Sequence, residues 1–211
     1  YRAYAVDGLW TNVTELPFNS DQFSTAHPAL SPDEKTLYFA SNRPDSFGES
    51  DIYKVQINED GSFGIPVNLG NSINTIGRES FPLITEENEI YFASDGQPGL
   101  GGFDVFVSKI NSDGTCTDVQ NVGESVNSAK DDFAYFIDTK TRKGFFSSNR
   151  SGGQGSDDIY QFLETKRLRC EQELYGEITD ENSKELLPNT TISLYNKQFD
   201  ILNTTVSDSK G

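Results

Sequence analysis

The residues best placed to do chemistry are three aspartates, Asp51, Asp104 and Asp158. Each closes a glycine-containing loop and precedes an apolar and then an aromatic residue: "SNRPDSFGESDIY" (41–53), "SDGQPGLGGFDVF" (94–106) and "SNRSGGQGSDDIY" (148–160). A carboxylate at such a place has two uses. It can accept hydrogen bonds from its own loop and so order the start of a strand, or it can join loop carbonyls around calcium, which takes roughly 6 to 8 oxygen ligands. Each loop offers few acids, so the expected role of the three aspartates is structural, with a calcium site as the weak alternative. Arg43 and Arg150 share one loop position, where the middle loop has Gly96. They are expected to pair with loop acids, a contact worth about 0–1 kcal/mol when exposed.

Other chemistry is thinly represented. His27 is the single histidine, so histidine triads and His-rich zinc sites are nearly excluded. One repeat further on, counting by the spacing described below, its place is taken by Ser80, and no catalytic role is assigned to it. There is no Gly-x-Ser-x-Gly elbow and no phosphate loop. "GQPGLGGFD" is glycine-rich, but it joins strand to strand and lacks the helix N-terminus that phosphate binding uses. No catalytic residue, metal or cofactor is expected.

The elements that must hold these loops repeat. "LYFASN" (37–42), "IYFASD" (90–95) and "FFSSNR" (145–150) are near-copies, and the three aspartates are spaced by 53 and then 54 residues. Asp60-Gly61 and Asp113-Gly114 keep the interval of 53, as do "VNLGNSIN" (67–74) and "QNVGESVN" (120–127). Asp7-Gly8 lies one interval earlier, so residues 1–25 read as the tail of a preceding copy. The additional residue in the last interval falls in the hairpin "DTKTRKG" (138–144). A period this regular is an architectural signal.

Each copy predicts four short strands: "AHPAL", "TLYFAS" after the Ser31-Pro32-Asp33 turn, "DIYKVQI" after the glycine loop, and a last strand ending at "VNLG". No helical periodicity appears. "LYFA" and "IYFA" are apolar without alternation, as expected of strands covered on both faces. Four strands per copy describe a blade of a β-propeller, so the predicted fold is all-β, with three full blades and the tail of another over 1–163. Phe39, Phe92 and Phe146, with Tyr53, Phe106 and Tyr160, are the expected interior aromatics of successive blades, as are Tyr38, Tyr91 and Phe145, with some equivalents exposed at the open edge of an incomplete set.

Composition bounds the partners. With 17 basic and 33 acidic residues the net charge is −16, which opposes nucleic acid or an anionic lipid surface. Mean hydropathy is −0.57, and no run approaches the roughly 20 apolar residues of a spanning helix. The chain opens on Tyr1 and contains no Met, and it reads as a fragment or processed chain without targeting information. "TKRLRC" (165–170) gathers three basic residues, which reads as an exposed linker over 164–173, with a docking strip for an acidic partner as the sharper alternative. Cys116 stands at the repeat position of Phe63 and Trp10, so a buried free thiol is expected there. A Cys116–Cys170 bridge is the alternative in an oxidising compartment.

The pattern "SPD", "LYFAS", "SNR", glycine loop and "DIY" resembles the TolB-type propeller repeats, most closely those of large periplasmic OmpA-family proteins of Bacteroidota. The resemblance spans about residues 1–163. Residues 174–211, with "YGEITDENSKELLPNTTISLYN", resemble the start of the carboxypeptidase-regulatory-like β-sandwich that follows the propeller in such proteins. The domain order is similar to that of a periplasmic component of type IX secretion. The resemblance implies a periplasmic, outer-membrane-associated scaffold with envelope or secretion-system proteins as partners. Peptidoglycan would be bound through a downstream OmpA-like domain that this sequence does not contain, and no direct membrane insertion is implied. Partners are expected at the loops 41–50, 94–103 and 148–157, with Arg43, Phe47, Gln97, Leu100, Arg150 and Gln154 as candidate contacts. A propeller enzyme of glycosidase or lactonase type is the alternative, and a scaffold of another outer-membrane assembly is a third reading.

Overall fold

A computed structural model describes residues 1–168, 176–195 and 199–211. The chain divides into two compact units, Tyr1–Leu168 and Arg169–Gly211. The fold is all-β, built of small antiparallel sheets. Among the described residues there is no helix and no sheet that closes on itself.

The first unit begins with a hairpin of β1 (Arg2–Val6) and β2 (Leu9–Thr14), turned at Asp7-Gly8. Sheet I follows, with β3 (Thr25–Leu30), β4 (Thr36–Ser41), β5 (Asp51–Gln56) and β6 (Val67–Asn68) in sequential order. Sheet II repeats that order with β7 (Glu79–Ile84), β8 (Glu89–Ser94), β9 (Asp104–Ile110) and β10 (Cys116–Asn121). Sheet III has β11 (Asp132–Ile137), β12 (Lys143–Ser148) and β13 (Asp158–Leu163). A fourth strand of sheet III, at the repeat spacing, would fall largely on 169–175, outside the described residues.

Turn chemistry sets this order. Gly61 and Gly114 both adopt φ +78°, a left-handed conformation that glycine tolerates at no steric cost. Asp60 and Asp113 accept the following N–H of Ser62 and Thr115, each at 2.9 Å. At 31–34 the N–H of Glu34 donates to Ser31 O at 2.8 Å, closing the predicted turn.

The sheets stack face to face. Tyr38, Ile52 and Ile73 from sheet I and its exit pack on Ile90, Phe92, Phe106 and Cys116 of sheet II. The other face of sheet II presents Tyr91, Val105 and Val107 to Tyr135, Ile137 and Phe146 of sheet III. Leu37, Phe39, Tyr53 and Val55, on the far face of sheet I, pack against Leu16, Phe18 and Phe63. Alternate residues of β4 and β8 thus enter different cores, and this is why "LYFA" and "IYFA" are apolar without alternation. One aromatic pair recurs across neighbouring strands: Phe39–Tyr53, Phe92–Phe106 and Phe146–Tyr160, with ring centroids 5.9, 5.9 and 5.5 Å apart.

Sheet III has only one covered face among the described residues. Phe145 is therefore 43% exposed and Ile159 77%, although their counterparts Tyr91 and Val105 are buried. Phe146 is interior, whereas Phe145 is one of the equivalents exposed at the edge of the stack. Tyr160 is half-buried.

A second correction concerns His27. The β3–β4 connection is one residue longer than the β7–β8 connection, so His27 corresponds to Phe81 and not to Ser80. Both sit at a bulge with left-handed φ, 51° and 54°, and Ala134 does the same at 50°. The His27 and Phe81 rings stack at 3.8 Å.

Residues 164–168 are not a free linker. Glu164 pairs with Arg142, Arg167 Nη2 lies 2.8 Å from Glu87, and Leu168 packs on the second core. In the second unit, β14 (Thr191–Tyr195) and β15 (Ile201–Val206) form an antiparallel hairpin, and an isolated bridge joins Thr179 to Leu186.

Candidate functional site

The three glycine loops lie at one end of the stack, each joining the second strand of a sheet to the third. Asp51 and Asp104 are buried at the strand starts and face their own loops. Asp51 accepts the N–H of Phe47 at 2.7 Å and of Gly48 at 3.2 Å, and the Asn68 amide at 2.6 Å. Asp104 accepts those of Leu100 at 2.5 Å and Gly101 at 3.0 Å through Oδ2, while its Oδ1 has no partner among the described residues. Asp158 accepts the N–H of Gly155 at 3.2 Å. In each loop the residue three before the aspartate is a glycine that donates to it. This arrangement orders a loop by carboxylate capping. A calcium ion at Asp51 would have to displace those donors. Among the described residues no three His, Cys, Asp or Glu side chains are grouped to hold a metal.

The glycines have a second task. A methyl group on Gly48 would overlap the carbonyl oxygens of Thr75 and Gly77, and one on Gly101 those of Ser128 and Lys130. These two loops therefore lie against the backbone that leads into the next sheet. Asn74 and Asn127 complete that join. The Asn74 Oδ1 accepts from Ile52 N at 2.8 Å and its Nδ2 donates to Ile52 O at 3.0 Å, and Asn127 treats Val105 likewise at 2.8 and 2.9 Å. A buried amide thus continues the sheet's hydrogen bonding where β6 and β10 leave off. The sequence signal was present in the echo of "NSIN" and "ESVN", but their side-chain role was missed.

Two buried carboxylates were also missed. Glu79 accepts from Thr75 N and Oγ1 at 2.8 and 2.7 Å and from Ser94 Oγ at 2.6 Å. Asp132, one repeat on, accepts from Ser128 N and Oγ at 2.5 and 2.8 Å and pairs with Arg150 Nη2 at 2.5 Å. Burial is the main cause that raises the Glu79 carboxyl above its ordinary 4.5, against the hydrogen bonds that lower it. A raised folded value means the folded state holds the proton more tightly. The stabilisation from protonated Glu79 is then complete below the ordinary value and is lost as pH rises through the raised one. We expect the unfolding midpoint of wild type minus that of Glu79→Gln to fall as pH is raised upward from 4.5; a flat difference would contradict it.

The six candidate contact residues separate. Phe47 is 56% exposed, Leu100 52%, and Gln154 is exposed. Gln97 is half-buried and gives its amide to Ile73 O at 3.1 Å. Arg150 is held by Asp132 and Val126 and lies over Phe146 and Tyr160. Arg43 is only 8% exposed, so it is an interior residue and not a surface one. Arg150 does pair with an acid, but with the buried Asp132 of β11 and not with a loop acid. Arg43 instead lies over Phe23, Phe39 and Tyr53. Ile76 is 87% exposed beside the Gly48 loop and belongs with Phe47 and Leu100; the sequence pattern did not single it out.

Cys116 is a buried free thiol, and burial raises its pKa. Cys170 lies outside the described residues. No family model and no curated protein matches this chain.

Proposed function

We propose that the stacked sheets are consecutive blades of a β-propeller that serves as a non-catalytic interaction scaffold. The observation that carries the reading is the use of the loop chemistry. Asp51 and Asp104 point into their own loops, while the apolar side chains of Phe47, Ile76 and Leu100 are left exposed at the same end of the stack. A rigid, internally capped loop end with exposed apolar groups suits protein contact. The repeated register and face-to-face stacking support the propeller reading. The periplasmic, outer-membrane-associated setting, the carboxypeptidase-regulatory-like start of the second unit and a role in type IX secretion rest on the sequence resemblance.

The test is recovery of partners from envelope fractions with the full-length protein, wild type against Phe47→Asp and Leu100→Asp. Both side chains project from ordered loops, so folding is expected to survive. Loss of secretion or outer-membrane components in the variants supports the scaffold. Unchanged recovery of every partner removes this face from consideration.

A further inference from the structure

Between sheets I and II lies an open slot of about 170 Å³. Ser24 and His27 line it from sheet I, Asn42, Glu49 and Ser50 from the glycine loop, and Ser80 from sheet II. Ser80 is buried, whereas Ser24, Asn42 and Glu49 form an exposed rim.

The next interface, between sheets II and III, has larger side chains at the same positions. Thr25 pairs with Ser41, Glu79 with Ser94 and Asp132 with Ser148. Ser24 therefore matches Arg78, and Ser80 matches Phe133. Ser41 pairs with Asp51 as Ser94 pairs with Asp104, so Ser50 matches Phe103. Arg78 lies over the Phe103 ring at 4.7 Å, and the Phe133 ring packs on Phe81, the counterpart of His27, at 5.1 Å. Three serines between sheets I and II thus stand where two rings and a guanidinium meet between sheets II and III. The slot is the space those groups leave.

The walls select what fits. Arg78 Nε lies 3.7 Å from the Glu49 carboxylate, and Arg43 Nε donates to the Ser41 hydroxyl, which also lines the slot, at 3.3 Å. A further cation would meet both. Burial lowers the His27 pKa, so its ring is uncharged at neutral pH and holds no anion. A neutral group remains. The methyl groups of Ala26 and Ala40 and the His27 ring supply apolar wall, and a cavity of about 150 Å³ accepts benzene. The Ser24 and Ser80 hydroxyls and Asn42 Nδ2 make no hydrogen bond among the described residues. We propose that this slot receives a tyrosine side chain of a protein partner, its ring in the place of the missing phenylalanines and its hydroxyl bonded by the slot's polar groups. Tyrosine is a common anchor of protein interfaces, joining a large ring to one polar tip. The proposal rests on the scaffold reading above, since Asn42, Glu49 and Ser50 place the slot beside the exposed Phe47 of the same loop.

The probe is N-acetyltyrosinamide, titrated into the full chain at neutral pH. The backbone amide signals of Ser24, Ser50 and Ser80 are followed by nitrogen–proton correlation. All three are expected to shift along one saturable curve, with several-fold weaker saturation by N-acetylphenylalaninamide and none by N-acetylargininamide. A flat tyrosinamide titration means that water fills the slot, and it overturns the proposal. Equal saturation by either of the other two compounds does so as well. Ser50→Phe restores the ring of Phe103 and is expected to abolish the response. If it fails to fold, Ser24→Arg, at an exposed position, decides: a several-fold weaker curve supports the site, and an unchanged one overturns it. Partner recovery from envelope fractions separates this proposal from the scaffold reading. Loss with both Leu100→Asp and Ser24→Arg supports the two together. Loss with Leu100→Asp alone overturns the slot and leaves the scaffold standing, and retention with both variants removes the slot along with the face.

Discussion

Gly101→Ala is expected to lower stability by about 3 kcal/mol, while Gly155→Ala changes it by less than about 0.5 kcal/mol. The two glycines occupy the same loop position and donate the same N–H to the following aspartate. Neither has a left-handed φ, so no backbone penalty separates them. What differs is the neighbour. At Gly101 a methyl group would run into the carbonyls of Ser128 and Lys130, which belong to the segment leading into sheet III. At Gly155 the nearest atom is Asp157 O at 3.4 Å, an ordinary contact. Overpacking costs roughly 1–3 kcal/mol when side chains can adjust, and an obstructing backbone belongs at the upper end. Chemical denaturation of both variants measures the difference. Equal midpoints would mean that the loop does not bear on the next sheet.

Phe92→Ala is expected to cost about 3–5 kcal/mol, against less than about 1 kcal/mol for Phe145→Ala. Phe92 is fully buried between sheets I and II and stacks on Phe106, so truncation removes transfer free energy and leaves a cavity in a core whose walls are two sheets. Phe145 occupies the position of Tyr91 on the face of sheet III that no described residue covers, where truncation leaves no enclosed cavity. A loss below about 1 kcal/mol for Phe92→Ala would show that the two sheets do not share that core.

The strands were legible because three features repeat in register: the apolar runs, the Asp-Gly turns and the Gly-x-x-Asp loops. A chain that writes the same sheet three times makes each copy a check on the others. The positions that misled are those where copies differ. A one-residue difference between the β3–β4 and β7–β8 connections moved the counterpart of His27 from Ser80 to Phe81, because a fixed count cannot see where an insertion falls. Which copy of an interior aromatic is exposed was not legible, because burial of Phe145 depends on a neighbouring sheet and not on the residue. Arg43 was placed on the surface because charged residues in loops usually are. Three aromatic side chains, contributed by two strands and the segment before β3, enclose it, and only the folded chain brings them together. Glu79, Asp132, Asn74 and Asn127 went unnoticed for the opposite reason: polar residues in loop-like stretches look solvated until their partners are known.

The central claim is that the loop end of the stack meets protein partners. It is tested most directly by placing a photoactivatable cross-linking residue at Leu100, and in a separate protein at Ile65. Both positions are exposed, and Ile65 lies in the connection that follows β5, at the opposite end of sheet I. After irradiation in envelope fractions, the account predicts discrete cross-linked partners from position 100 and none of them from position 65. The same partners from both positions, or partners from position 65 alone, would contradict it.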